Sequence, residues 1–184
     1  MSVPDNYFDF FDLPHKLDID LQDLEKRFYA LSRRWHPDLF SRRSVDEQRE
    51  ALEASAILND GYRVLRDPIS RAEYLLQEQG FDTGEQKSKD VPAELLEEVF
   101  DLNMALDELR DGDTDAVPRL EDARGKFIEM RDEIDRELPR KFTEYDRSAD
   151  REVLTGIRAI LNRRKYIRNL VNEVEKALAV NVPN

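Results

Sequence analysis

Two histidines occur in the chain, and one stands in the triplet His36-Pro37-Asp38. An imidazole beside a carboxylate can exchange a proton or offer paired hydrogen bonds, and the proline between them stiffens the backbone. General-base catalysis or metal binding would need further partners, and the second imidazole, His15, sits apart beside Pro14 in a turn. With no cysteine in the chain, disulfides, thiolate catalysis and Cys-ligated zinc or iron–sulfur centres are excluded. The six glycines are dispersed and make no phosphate-cradling loop. Carboxylate pairs such as Glu97-Glu98 lie on helices densely charged elsewhere and read as solvated faces. No enzymatic role and no cofactor of its own are therefore expected; the triplet reads either as a binding corner on a loop between rigid helices or as a helix stop with a local Asp38 turn bond.

The elements around the triplet must hold it rigidly. Proline disfavours the helical conformation in the residue before it, so the helix beginning at Leu21 should stop at about His36. Asp20 can cap that helix, and Leu21, Leu24, Phe28, Leu31 and Trp35 form a stripe at steps of three and four. Its other faces carry Lys26, Arg27, Arg33 and Arg34. Arg42-Arg43 follow the triplet, then Ser44-Val45-Asp46-Glu47 reads as a capping box. It opens a helix with Leu52, Ile57, Leu58, Tyr62 and Leu65 apolar, ending near Asp67-Pro68. A short apolar helix over Tyr7–Leu13 precedes this hairpin. Another, from Arg71 to Gln79 with Ala72, Leu75 and Leu76, follows it and is C-capped by Gly80.

Residues 81–91 are polar without apolar period and read as a linker between domains at 1–80 and 92–184. Pro92 suits a helix first turn, and that helix should run to Arg110 with Gly112 just past its end. Its stripe is Leu95, Val99, Leu102, Leu106 and Leu109. A helix from about Asp115 to Leu138 uses Val117, Leu120, Phe127, Ile134 and Leu138. A last one, from about Tyr145 to Val180, has the seam Val153, Ile157, Ile160, Ile167, Val171, Val174 and Leu178, interrupted by Arg164. Three amphipathic helices with short connections imply an antiparallel three-helix bundle. On the first of them Leu96, Phe100 and Met104 fall well off the stripe at about 100° per residue, flanked by Glu97 and Asp101. A second apolar stripe rimmed by carboxylates marks an interface. On the last helix Tyr166 and Leu170 also fall off the seam.

Composition agrees with an all-α protein. The 184 residues are 40% hydrophobic and 38% charged, and strand-like alternation is absent at useful length. A net charge of −12 argues against a nucleic-acid partner, because phosphates demand a basic footprint. No apolar run approaches the roughly 20 residues of a membrane span. Met1 to Asp5 lack the basic and apolar regions of a secretory signal, so the expected compartment is the bacterial cytoplasm.

Tyr7-Phe8, the basic helix entering His36-Pro37-Asp38, Leu58-Asn59-Asp60-Gly61-Tyr62, Asp67-Pro68 and Arg71-Ala72-Glu73-Tyr74 together resemble a J-domain over about residues 5–78. Gly61 departs from the family, which usually has alanine there. The resemblance implies an N-terminal helical hairpin that stimulates an ATP-hydrolysing chaperone of the HscA/DnaK type. His36, Pro37 and Asp38 would make its short-range contacts. Lys26, Arg27, Arg33, Arg34, Arg42 and Arg43 form a positive patch suited to steering onto an acidic partner. Glycine/phenylalanine-rich and cysteine-rich modules are missing, and a J-domain joined to an acidic three-helix bundle is similar to the HscB family. Arg71-Ala72-Glu73-Tyr74-Leu75-Leu76, Gly80-Phe81 and Leu96-Glu97-Glu98-Val99-Phe100-Asp101-Leu102 match at the junction. That family implies a second partner, the iron–sulfur scaffold IscU, at Leu96, Glu97, Phe100, Asp101, Met104 and Tyr166. Met104 and Tyr166 depart from its pattern, where an acidic residue and phenylalanine are frequent. The rival readings are a J-domain protein for another client and a purely structural helical adaptor. A monomer is favoured, with oligomeric state left open.

Overall fold

The computed structural model describes residues 6–82 and 95–181. Residues 83–91 of the expected linker, and Pro92, lie outside the described residues. Within the described residues the regular structure is helical, without strands. In order come α1 (Tyr7–Phe10), α2 (Leu21–Arg34), a 3-10 turn (Pro37–Phe40), α3 (Val45–Arg66) and α4 (Pro68–Glu78). Then follow α5 (Leu96–Arg110), a 3-10 turn (Thr114–Ala116), α6 (Val117–Ser148) and α7 (Arg151–Asn181). The described residues group into two compact units, 6–82 with 142–150 and 95–141 with 151–181.

Helix ends in the N-terminal unit are set by local chemistry. The Asp20 carboxylate accepts the N–H groups of Gln22 (2.8 Å) and Asp23 (3.3 Å), satisfying donors that the helix leaves orphaned. Ser44 and Glu47 make the reciprocal capping box: Glu47 N–H donates to Ser44 Oγ (3.3 Å) and Ser44 N–H to the Glu47 carboxylate (2.9 Å). Gly80, at φ +76°, ends α4 with the Phe81 N–H bonded back to the Leu76 carbonyl at 2.9 Å. Only glycine takes that left-handed conformation without penalty.

Packing in this unit centres on α3, which meets α1, α2, α4 and the 3-10 turn. Its buried face is Ala51, Ala54, Leu58, Gly61 and Leu65. Leu52, expected on that face, is exposed. The inward stripe runs through small residues instead, and these let neighbouring helices come close. The α2 stripe is likewise thinner than expected. Leu24 is buried, Phe28, Leu31 and Trp35 are half-buried, and Leu21 is exposed. Phe28 closes the hairpin by stacking on Tyr62, ring centroids 4.3 Å apart.

Arg71 is the buried charge of the unit, at 6% exposure. Its guanidinium donates from Nε to the Leu17 carbonyl (2.8 Å) and from Nη1 to the Leu65 carbonyl. Burial lowers its pKa, opposed by the field of Asp18, Asp67 and Asp146. Asp146 in turn accepts the N–H groups of Leu17 (2.8 Å) and Asp18 (2.7 Å). Those two bonds are why 142–150 groups with the N-terminal unit, although the sequence reading placed everything after residue 91 in the second domain.

α5, α6 and α7 form an antiparallel three-helix bundle. The expected α5 stripe of Leu95, Val99, Leu102, Leu106 and Leu109 is buried throughout, joined by Ala105. Leu120, Phe127, Ile134 and Leu138 are buried on α6, with Val117 half-buried. α6 does not stop at Leu138: it runs through Pro139 to Ser148. A helix-interior proline costs about 3 kcal/mol. The continued helix buries Phe142 and Tyr145 in step with Leu138, and each large side chain recovers roughly 1.5–3 kcal/mol. α7 consequently starts at Arg151, after Ala149 takes a left-handed φ of 50°, rather than near Tyr145. Its seam also shifts in phase. Leu154, Ile157, Leu161, Ile167, Leu170, Val171 and Val174 are buried, whereas Val153, Ile160 and Leu178 are half-buried. Leu170, expected off the seam, belongs to the core. Arg164 is accommodated by a bidentate pair with Asp135, Nη2 to Oδ2 at 3.0 Å.

Gly61 explains the departure from alanine. A Cβ there would lie 3.0 Å from Cδ1 of Tyr7 and 3.0 Å from Cε2 of Phe11. Alanine should gain about 1 kcal/mol of helix propensity, but overpacking costs about 1–3 kcal/mol. Gly61→Ala is expected to lower the thermal midpoint of the N-terminal unit by a few degrees, measured by calorimetry. A raised midpoint would show that the two rings yield freely.

Candidate functional site

The His36-Pro37-Asp38 corner is built by the end of one helix and the start of a short turn. α2 stops at Arg34, with Trp35 as C-cap donating its N–H to the Leu31 carbonyl at 2.9 Å. His36 adopts φ −62° and ψ 125°, the extended conformation that a following proline imposes. It serves as N-cap of the 3-10 turn: its Nδ1 accepts the Asp38 N–H at 3.3 Å and lies 3.5 Å from Asp38 Oδ2. Both side chains are exposed. On the far side, Gln48 of α3 donates to the carbonyls of Ser41 (3.4 Å) and Arg43 (3.0 Å), sewing the loop to the next helix. Trp35 and Phe40 stack across the corner. Sequence reasoning passed over Gln48 and Phe40, whose signal was their position flanking the corner.

The cations sort into two roles. Lys26 and Arg33, seven residues apart, share a helix face, and both are exposed. Arg34 lies over the Trp35 ring, 5.5 Å from its centroid. Arg42 and Arg43 are exposed beyond the turn, Arg43 at 3.9 Å from Glu47. Arg27 is different. Its Nε donates to Asp23 at 2.7 Å, and its Nη1 to the Asp12 carboxylate (2.9 Å) and the carbonyls of Phe11 (3.1 Å) and Asp12 (2.7 Å). Those bonds, Asp23 foremost, raise its pKa. Arg27 is a tie between α1 and α2, and its charge is already compensated within the unit.

In the bundle, the off-stripe residues of α5 do face solvent. Leu96 is 55% exposed, Phe100 64% and Met104 48%, with Glu97 and Asp101 exposed beside them. Single exposed apolar residues are ordinary, but three in register on one helix form a stripe. Tyr166 stands on α7 and is half-buried; burial, then Glu173, raises its phenol pKa. A groove of about 360 Å³ between α5 and α6 is lined by Asp101, Met104, Asp122, Lys126 and Phe127 among others. No helix among the described residues is long and apolar enough to cross a membrane.

The exposed imidazole–carboxylate pair stands at the turn of a hairpin whose exposed faces carry cations. The chain thus combines a J-domain-like helical hairpin with a helical bundle. Comparison with known proteins sharpens this. The Co-chaperone protein HscB homolog of Neisseria meningitidis serogroup A is 33% identical over 178 residues, 94% of this chain and 98% of the relative. That of Shewanella loihica is 31% identical over 172 residues, 94% and 96% of the two chains. Among solved structures, chaperone HscB from Vibrio cholerae superposes with a TM-score of 0.63 at 30% identity, over 95% of this chain and 98% of that one. Human co-chaperone protein HscB gives 0.69 at 25% identity, over 95% and 84%. No protein-family model matches the chain. The chain belongs to the HscB co-chaperone family.

The α3 cap beside the corner is pH-sensitive. Hydrogen bonds from Ser44, and more weakly the charge of Arg43, hold the Glu47 carboxyl below its ordinary pKa. A carboxylate whose folded pKa is depressed stabilises the fold above its unfolded value, about 4.3, and that contribution is lost as pH falls through the folded value. The stability gap between wild type and Glu47→Gln should therefore close on acidification from about pH 6 to about pH 3. Thermal melts across that range measure it, and a gap constant with pH would contradict the assignment.

Proposed function

We propose that this protein is a non-enzymatic co-chaperone with two binding ends, acting in iron–sulfur cluster assembly. The N-terminal unit stimulates ATP hydrolysis by an HscA/DnaK-type chaperone through His36, Pro37 and Asp38. Lys26, Arg33, Arg34, Arg42 and Arg43 steer the encounter. An otherwise acidic protein gains most from a local basic patch, because steering depends on the field at the docking surface rather than on net charge. The bundle presents Leu96, Glu97, Phe100, Asp101 and Met104 to an IscU-type scaffold carrying the cluster, with Tyr166 of α7 as a further contact. Holding both partners on one chain raises the effective concentration of one for the other.

The observation that carries this reading is the exposed apolar stripe on α5. Leu96, Phe100 and Met104 are apolar yet stand on a solvent face, and flanking carboxylates of this kind form the polar rim of a protein interface.

Two experiments test the two ends. His36→Gln should keep the helical fold, by circular dichroism, yet lose at least about tenfold in chaperone ATPase stimulation, the loss of one strong interfacial contact. Stimulation at the wild-type level would overturn the assignment. For the other end, Leu96→Ala combined with Phe100→Ala should weaken scaffold binding about 10- to 100-fold, since buried apolar anchors contribute about 1–2 kcal/mol each. Calorimetric titration with the scaffold reads this directly, and unchanged affinity removes the α5 face from the proposal.

A further inference from the structure

We infer that Trp35 and Phe40 are positioning residues, an aromatic clasp that holds the His36-Pro37-Asp38 corner in the one conformation its partner reads. The inference rests on the chaperone-stimulating function proposed above.

The two rings bracket the corner in sequence and meet in space, centroids 6.1 Å apart and planes within 10°. Trp35 is the C-cap of α2 and Phe40 the last residue of the 3-10 turn. Their contact therefore closes residues 36–39 into a small loop, fastened at both ends. Inside it, the Leu39 N–H reaches the His36 carbonyl at 3.0 Å, and the Asp38 N–H reaches His36 Nδ1 at 3.3 Å. These bonds shape the loop but do not orient it against the rest of the fold. Both functional heads stand in solvent, with His36 Nδ1 3.5 Å from Asp38 Oδ2. Orientation has to come from what flanks them. α3 packs against the turn and Gln48 secures the segment beyond it through Ser41 and Arg43; the aromatic stack ties the end of α2 to the end of the turn. Arg34 lies over the same indole, so the clasp also sets a cation beside the corner.

This predicts a particular kinetic signature. If the rings part, the corner samples other conformations, and the apparent affinity falls by the fraction of molecules still competent. A partner at saturation selects the competent form, so the maximal stimulation is kept. A contribution of the usual size for an aromatic pair corresponds to a shift of about two- to tenfold.

The test is the ATPase rate of an Hsp70-type chaperone titrated with the full chain. Phe40→Leu and Trp35→Leu should each raise the half-saturating concentration about two- to tenfold with the plateau unchanged. Phe40→Tyr, which keeps the stack, should restore the wild-type value. The double variant should be no weaker than the worse single one, because either loss already removes the contact. Wild-type half-saturation in Phe40→Leu, a lowered plateau without a shift, or additive losses in the double variant would each overturn the clasp. His36→Gln in the same titration separates the two levels. A flat response there beside a normal Phe40→Leu sinks the clasp alone, whereas a normal His36→Gln sinks the co-chaperone reading and the clasp with it.

Discussion

The Arg71 guanidinium is buried where four segments of the N-terminal unit converge. It binds the carbonyl of Leu17, between α1 and α2, and that of Leu65 near the end of α3. Asp146, at the end of α6, takes the N–H groups of Leu17 and Asp18 from the other side. One short connection is thus gripped at its donors and its acceptor at once. A buried cation is costly when unpaired, and here two carbonyls and the field of Asp18, Asp67 and Asp146 offset its desolvation. The arrangement is all or nothing: removing a partner would leave a buried charge or buried backbone groups unsatisfied. The frame that presents α2, and hence the corner at its end, depends on it.

On that frame the side chains divide into those that hold the fold and those left at the surface. Arginines that hold are saturated with partners: Arg71 by carbonyls, Arg27 by Asp12, Asp23 and the end of α1, Arg164 by Asp135. The cations around the corner are exposed, with Arg34 over the Trp35 ring and Arg43 near Glu47. The same division holds for apolar residues on α5, where Leu95, Val99 and Leu102 fill the core while Leu96, Phe100 and Met104 are left outside. One helix thereby serves the bundle and offers a second surface, because its two stripes lie well apart around its axis.

Much of this was legible in the chain itself. The caps at Asp20, Ser44, Gly80 and Gly112 depend on residues within one turn, so their chemistry is written locally. The two stripes of α5 were readable for a similar reason, since a helix of known phase places every residue around its axis. What failed had non-local causes. Leu52 looked like core because it is large, but α3 needed alanines where its neighbours approach. Arg27 looked like part of the basic face, and its capture by Asp12 depends on how α1 folds back onto α2. The helix expected to stop at about Leu138 continues through Pro139, with Phe142 and Tyr145 buried beyond it. That same shift moved the start of α7 and the phase of its seam, bringing Leu170 inside.

By itself, then, the sequence determined the helices, their caps, the exposed His36-Pro37-Asp38 corner and the surplus apolar stripe on α5, because each follows from contacts within a few residues along the chain. Tertiary structure alone decided which cations are spent on holding the fold, how closely two aromatic rings crowd position 61, where α6 ends, and that Trp35 and Phe40 meet. Those outcomes arise where chemically similar residues are told apart by neighbours distant in sequence, or where packing overrides a local preference, and no periodicity along the chain encodes them.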